Sequence, residues 1–248
     1  MRISLCMIVK DEEVNLAACL RPVVDLFEEI ILVDTGSTDR TREIATDFGA
    51  KVFDFPWNDS FADARNESLR HATGDWIFWL DADDRLDVKT YHELMDLFHD
   101  LPAKDKVAYV MPCHCTGTEE MTCHVRLFRN QPDLFWCYRA HEQILPALEH
   151  LDTELIWTDI TIEHTGYQDV VLYHSKLERN LRLLELDNQE YPCEPWILFN
   201  LAMTKRKLGC TEGTEEMLRQ ALHYSHPEDL LVPELHKLLV QEPRTVSK

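Results

Sequence analysis

Three runs in this chain are so apolar that each fits only the middle of a sheet covered on both faces: ISLCMIV (residues 3–9), EIILVD (29–34) and DWIFWL (75–80). A strand with one solvated face alternates apolar and polar side chains, whereas a strand of a parallel sheet is continuously hydrophobic. A shorter run, KVFDF (51–55), lies between the second and third. Helical signals fill the intervals. Asn15–Val24 has a helical pattern whose end is blurred by Pro22. The turn Thr35-Gly-Ser-Thr-Asp39 opens a helix reaching about Phe48 and closed by Gly49. Ser60 is placed to cap a third helix ending near Ala72, and Gly74 separates that helix from the next strand. Three strand-to-helix units in succession predict an α/β fold with a mostly parallel sheet.

Ligands of such a sheet bind outside the carboxyl ends of its strands. DWIFWL runs straight into Asp81-Ala-Asp83-Asp84, EIILVD ends on Asp34, and ISLCMIV is followed by Lys10-Asp11-Glu12-Glu13. Three strand ends thus bring acids to one edge, where they repel one another unless a cation or hydrogen-bond donors stabilise them. Asp-x-Asp in extended chain points both carboxylates the same way. Mg2+ or Mn2+ takes such carboxylates together with phosphate oxygens, being hard ions that prefer oxygen. Asp84 and Asp87 fit the entry of a following helix, where its dipole favours negative charge.

Composition removes other classes. Forty-five acidic against twenty-five basic residues, a formal charge of −20 over 248 residues, argue against nucleic-acid binding driven by phosphate contacts, which needs a basic face. No apolar stretch reaches transmembrane length, and MRISLCMIVK lacks the pattern of a signal peptide, so a cytoplasmic location with reduced cysteines is expected. Seven glycines with neither a GxGxxG nor a GxxxxGK pattern disfavour the folds that cradle phosphates in such loops. Cys113-His114-Cys115 and Cys123-His124 gather five soft ligands in twelve residues. Their spacing is unlike CxxC pairs, and the expectation is a β-hairpin with its cysteines on one face.

The ordered series SLCMIVKDEEVNL, IILVDTGSTDRT and FADARNESLRHATGDWIFWLDADDRL resembles the family-two glycosyltransferases, nucleotide-sugar enzymes of the GT-A fold, a Rossmann-like, mostly parallel sheet with helices on both faces. VRLFRN, RAHEQI and IEHTGY resemble the bacterial branch that glycosylates peptides, proteins or lipopolysaccharide cores, which extends the likeness to about residue 170. The resemblance implies a nucleotide-diphosphate sugar donor, UDP-linked by preference, and Mn2+ or Mg2+ as cofactor. Lys10, Glu12 and Asp34 would cradle the nucleoside, with Asp34 facing the base. Arg65 and Asn66 would approach the nucleotide or sugar, Asp81 would hydrogen-bond ribose or sugar hydroxyls, Asp83 would bind the metal, and His164 would supply a later metal or diphosphate contact. The catalytic base falls in RAHEQI, where His-Glu replaces the family's more usual acidic pair. Glu142 is the expected base and His141 the alternative, because an imidazole titrates near neutrality. Plainer roles stand beside these: Asp34 as a turn former, His164 as a strand-end histidine, Glu142 paired with Arg139 or Arg126, and Arg126 and Arg129 in salt bridges rather than on donor phosphate.

Past Gly166 the pattern is helical. Helices are expected over Asp169–Glu190, Trp196–Leu208 (ending at Gly209) and from about Glu212 to Tyr224, with small residues at Ala202 and Ala221. Helix, LG turn, helix resembles one tetratricopeptide unit. The expected organisation is a GT-A domain over 1–168, a tetratricopeptide-like segment over 169–225 and a C-terminal helix or tail over 226–248. One unit cannot bury both faces, so it leans on the catalytic domain, a second copy or another partner. Two functions fit: a metal-dependent, inverting hexosyltransferase acting on a peptide, protein or glycan acceptor, or an inactive GT-A domain serving as a nucleotide-binding or helical scaffold.

Overall fold

In the computed structural model, the structure describes all residues except 104–105, 118–120, 166–169 and 242–248, and side-chain detail is also left out for 170–172 and 241. The chain divides into two compact units, Met1–Cys137 with Glu142–Asp169, and Tyr138–His141 with Val170–Lys248.

The first unit is built on β1 (Ile3–Val9), β2 (Glu29–Asp34), β3 (Lys51–Asp54), β4 (Trp76–Trp79), β5 (Asp84–Arg85), β6 (Val107–Cys115), β7 (Met121–Arg129), β8 (Glu154–Trp157) and β9 (Ile162–His164). Among the described residues these form one nine-stranded sheet, ordered β3-β2-β1-β4-β7-β6-β9-β5, with β8 beside β6. β3, β2, β1 and β4 are mutually parallel, and β7 enters antiparallel between β4 and β6. The chain winds outward from β1 through β2 to β3, then returns to β4 on β1's other side, which puts a topological switch point between β1 and β4.

The continuous apolar runs bury alternate residues on opposite faces. Leu5, Met7, Leu32, Trp76 and Phe78 join the core covered by α1 (Leu16–Leu20), α2 (Thr41–Asp47) and α4 (Val88–His99). Cys6, Ile31, Ile77 and Trp79 join a second core under α3 (Phe61–His71), with Trp136 and, at α5 (Leu145–His150), Leu148. Ser60 caps α3 by accepting from the Asp63 amide, and Gly49 takes φ +76° after α2, as the sequence predicts. The first helix is shorter than expected: α1 stops at Leu20, before Pro22, and a 3-10 turn (Val24–Leu26) follows.

The cysteine-bearing strands do form a hairpin, β6 against β7, but its cysteines do not share one face. Cys113 pairs with Thr122 and Cys123 with Pro112, and since facing residues point the same way, Cys123 lies opposite Cys113 and Cys115. Cys113 and Cys115 are buried and Cys123 is exposed.

The second unit contains α6 (Val170–Glu190), α7 (Pro195–Lys207), α8 (Thr214–Tyr224) and α9 (Val232–Gln241). α7 and α8 form the tetratricopeptide-like pair. Ala202 and Ala221 are both fully buried in its core with Leu198, Leu218 and Leu235, the small side chains letting the helices approach closely. Gly209 reverses the chain after α7 at φ +81°. The expected start of α6 at Asp169 lies outside the described residues, and much of the expected tail is the helix α9.

One carboxylate ties the amino-terminal edge of the parallel strands together. Glu29 Oε1 accepts from the Ser4 hydroxyl (2.6 Å), the Thr73 amide (2.6 Å) and the Thr73 hydroxyl (2.9 Å), and Oε2 from Lys51 Nζ (2.7 Å). Partial burial alone would raise its pKa, but these donors outweigh that and hold it at about 2, against an ordinary 4.5. A depressed folded-state pKa stabilises the native state above the unfolded value, and that stability is lost as pH falls through the folded one. Glu29→Gln is therefore expected to cost about 2 kcal/mol at neutral pH. Urea unfolding of both proteins from pH 7 to pH 2 should find the difference constant above about pH 5 and shrinking towards pH 2.

Candidate active site

Because β1, β2, β4, β6 and β9 run the same way, their carboxyl ends gather Asp34, the Asp81–Asp84 turn, Cys115 and His164 on one rim. The turn is shaped locally: the Asp84 amide donates to the Asp81 carbonyl (3.0 Å) and the Asp81 amide to Asp84 Oδ2 (2.8 Å). Register then brings His164 directly across from Asp84 in the β5/β9 pair, and Thr165 donates through both amide and hydroxyl to the Asp83 carbonyl at 2.9 Å. Asp81, Asp83, Asp84 and His164 offer ligand atoms all within 4.8 Å of one another.

What keeps these charges together is a pair of buried arginines. Arg126, 1% exposed on β7, donates from Nη1 to Asp84 Oδ2 at 2.8 Å, and Asp84 itself is fully buried. Arg65, 5% exposed on α3, donates from Nη2 to Asp81 Oδ1 (2.9 Å) and from Nε to Glu142 Oε1 (2.6 Å). Both guanidinium groups lie over the Trp79 ring, 4.2 Å (Arg65) and 3.8 Å (Arg126) from its centroid, and Arg65 also faces Trp136 at 5.1 Å. An aromatic face attracts a desolvated cation, and an arginine that stays charged when buried supplies the field the acids need. Burial opposes ionisation of Asp81, but Arg65 first, then Arg126 and His164, hold its carboxyl at about 2. His164 moves the other way: burial disfavours its charged form, yet the Asp84 hydrogen bond (2.9 Å from Nδ1) and the charges of Asp83, Asp84 and Asp81 raise its pKa. The position thus favours positive charge. Three carboxylates and one imidazole are also a donor set suited to Mn2+ or Mg2+. Cys113 lies within reach of Asp84 and His164, but burial pushes its thiol up to about 11, so it is protonated at neutral pH.

Asp84 corrects the sequence reading. It is no helix-entry acid but the centre of this network, whereas Asp87 does cap α4, accepting from the Thr90 amide at 2.8 Å. Arg126 forms an ion pair, one of its two expected roles, and Arg129 donates to the Pro102 carbonyl (2.6 Å) and faces Trp76. A basic residue inside the apolar strand HVRLFR was the available signal, but its partner depends on the β4/β7 register.

The remaining candidates fall in three places. Asp34, 2% exposed, accepts from the Ser37 amide and hydroxyl and from Arg42 Nη1 (3.1 Å). Lys10 is exposed beyond β1, and Glu12 bonds Asn15 and, through its amide, Thr41 Oγ1 (2.7 Å). Asp34 thus bonds within the segment after β2 and the Glu12 carboxylate within the loop after β1, with the Glu12 amide crossing between the two, and neither acid belongs to the Asp81–Asp84 cluster. Asn66 spends its amide on the Trp136 backbone, accepting at 2.7 Å and donating at 3.0 Å. Glu142 pairs with Arg65, not with Arg139 or Arg126. His141 is exposed at φ +53° and belongs to the helical unit, where its carbonyl accepts from Trp196 Nε1 (2.8 Å). In the same unit the Arg139 amide donates to buried Asp187 (2.7 Å).

A mostly parallel sheet with an Asp-x-Asp turn at its carboxyl rim and a histidine from a later strand beside it defines the GT-A class. Residues 4–141 match the glycosyl transferase family 2 model, and the chain belongs to that family. It is 34% identical over 243 residues to a TPR repeat-containing protein of Synechococcus elongatus, covering 94% of this chain and 60% of that one. It is 29% identical to the SPbeta prophage-derived glycosyltransferase SunS of Bacillus subtilis, over 89% of this chain and 53% of SunS. The chain thus spans only about half to three fifths of these relatives' length. The fold is shared with S. aureus TarS in complex with UDP-GlcNAc (TM-score 0.55, 14% identity, 90% of this chain and 79% of that one). It is shared also with Mycobacterium tuberculosis glucosyl-3-phosphoglycerate synthase bound to Mn2+, UDP and phosphoglyceric acid (TM-score 0.52, 15% identity, 72% and 78%).

Removing one partner of a buried ion pair strands the other's charge. Arg126→Met is expected to lower stability by about 3–5 kcal/mol, and adding Asp84→Asn should recover part of that loss. Urea unfolding of the single and double variants measures both, and a single variant as stable as wild type would mean that Asp84 does not depend on Arg126.

Proposed function

We propose that this protein transfers a hexosyl group from a nucleotide-diphosphate sugar, UDP-linked by preference, to a peptide, protein or glycan acceptor with inversion. The observation that carries the reading is the Asp81, Asp83, Asp84 and His164 cluster on the carboxyl rim of a family 2 domain. Asp83 and His164 would hold Mn2+ or Mg2+, and the ion when bound would offset charge on the diphosphate. Mn2+ and UDP bound to the M. tuberculosis synthase support that assignment by analogy of fold. Asp81, kept ionised, would accept from ribose or sugar hydroxyls. Asp34 with Lys10 and Glu12 would line the nucleoside side, and Arg65 would hold Asp81 and Glu142 in fixed relation.

In the transfer step the acceptor's nucleophilic atom attacks the anomeric carbon as the bond to the diphosphate breaks. The acceptor's proton passes to Glu142, which is oriented by Arg65 through Oε1. His141 is the alternative base. Action in the cytoplasm belongs to the same reading; no described helix is long and apolar enough to cross a membrane. The α6–α9 helices would contact a partner or a second copy.

Thermal shift with UDP and Mn2+ tests the donor site. Wild type should be stabilised by UDP only with the metal, chelator should abolish the effect, and Asp83→Asn should lose most of it. Stabilisation unaffected by chelator would defeat metal dependence. For the chemistry, Glu142→Gln should keep UDP binding and lose roughly 10²-fold or more in turnover. His141→Ala should lose less. A pH–rate profile separates the two, since a histidine base titrates within the assay range. Donor binding with neither hydrolysis nor transfer would favour the scaffold.

A further inference from the structure

We propose that Asp84 is a positioning residue of the cation site: it holds the His164 imidazole through Nδ1 without ligating the ion itself. The inference rests on the reading of Asp83 and His164 as the cation's ligands.

Four observations carry it. Asp84 is fully buried, and both of its oxygens are engaged, Oδ2 by Arg126 Nη1 (2.8 Å) and the Asp81 amide (2.8 Å), Oδ1 by His164 Nδ1 (2.9 Å). Arg126 is itself 1% exposed and is a permanent cation, so a metal ion bound to the same carboxylate would have to approach that like charge without water between them. The β5/β9 register sets Asp84 directly opposite His164, so the contact is imposed by backbone pairing and not by a chance rotamer. Finally, a histidine that ligates metal characteristically gives its other ring N–H to a carboxylate, which selects the tautomer and orients the ring. Asp83, which the proposed function gives to the ion, lies 3.5 Å from that same ring nitrogen, farther than Asp84. The Asp-x-Asp-Asp turn therefore divides its labour: Asp81 faces Arg65, Asp83 serves the ion, and Asp84 holds the histidine.

The test is a double-mutant cycle on Mn2+ affinity, measured by calorimetric titration of MnCl2 into protein saturated with UDP. Asp84→Asn should weaken Mn2+ by about 10- to 100-fold. His164→Gln should weaken it at least as much, and the double variant should match His164→Gln within about threefold, because Asp84 acts through that ring. Losses that multiply in the double variant would make Asp84 an independent ligand and overturn the proposal, as would wild-type affinity in Asp84→Asn. Unchanged affinity in both Asp83→Asn and His164→Gln would instead overturn the underlying reading of the cation site, and this inference with it. Should Asp84→Asn fail to fold, wild-type protein labelled with 15N-histidine decides the matter. His164, assigned by its absence in His164→Gln, should keep Nδ1 protonated when Mg2+ and UDP bind. Metal coordination at Nδ1 would overturn the proposal.

Discussion

Mutual repulsion among carboxylates at the end of β4 is the constraint around which the rest of the first unit is arranged. Left alone, closely spaced carboxylates in a partly dry rim would protonate or push apart. Two arginines that cannot lose their charge are buried against Asp81 and Asp84 and offset that repulsion, and those arginines tolerate burial because each has a carboxylate partner and an aromatic face. Trp79 occupies the centre of this arrangement. It is the last residue of β4, lies against both guanidinium groups and donates its indole N–H to the Val125 carbonyl at 2.6 Å.

That arrangement requires strands from distant parts of the chain. Arg126 comes from β7, His164 from β9 and Arg65 from α3, and only the insertion of antiparallel β7 between β4 and β6 puts the first of these beside Asp84. The two cores have a matching asymmetry. The core under α1, α2 and α4 is a long apolar cluster, whereas the core under α3 leads into Trp79, Trp136 and the arginines. The two arginines of the site therefore lie on close-packed aromatic rings of the second core, beside the turn that carries the acids.

Much of this was legible. Continuous apolar runs cannot be half-exposed strands, so the parallel sheet followed from them, and with it the rim where Asp34 and Asp81–Asp84 would stand. The helix ends at Ser60 and Gly49 were equally readable, because capping is local chemistry. Asp84 was misread for a related reason: an acid shortly before a helix usually serves its dipole, and nothing local distinguishes it from Asp87, which does. The cysteines of the hairpin were misassigned because the alternation of faces depends on a pairing register that β6 and β7 settle between them.

The sequence by itself determined which elements form and that acids would crowd one edge, since periodicity, caps and strand-end composition act over a few residues. Tertiary structure alone decided which charge neutralises which. Arg65 meets Asp81 across 16 residues and Glu142 across 77, and Asp84 meets His164 across 80. Electrostatic energies at a buried site depend on distances of a few ångströms and on exclusion of water, and neither exists until the sheet has closed over its core.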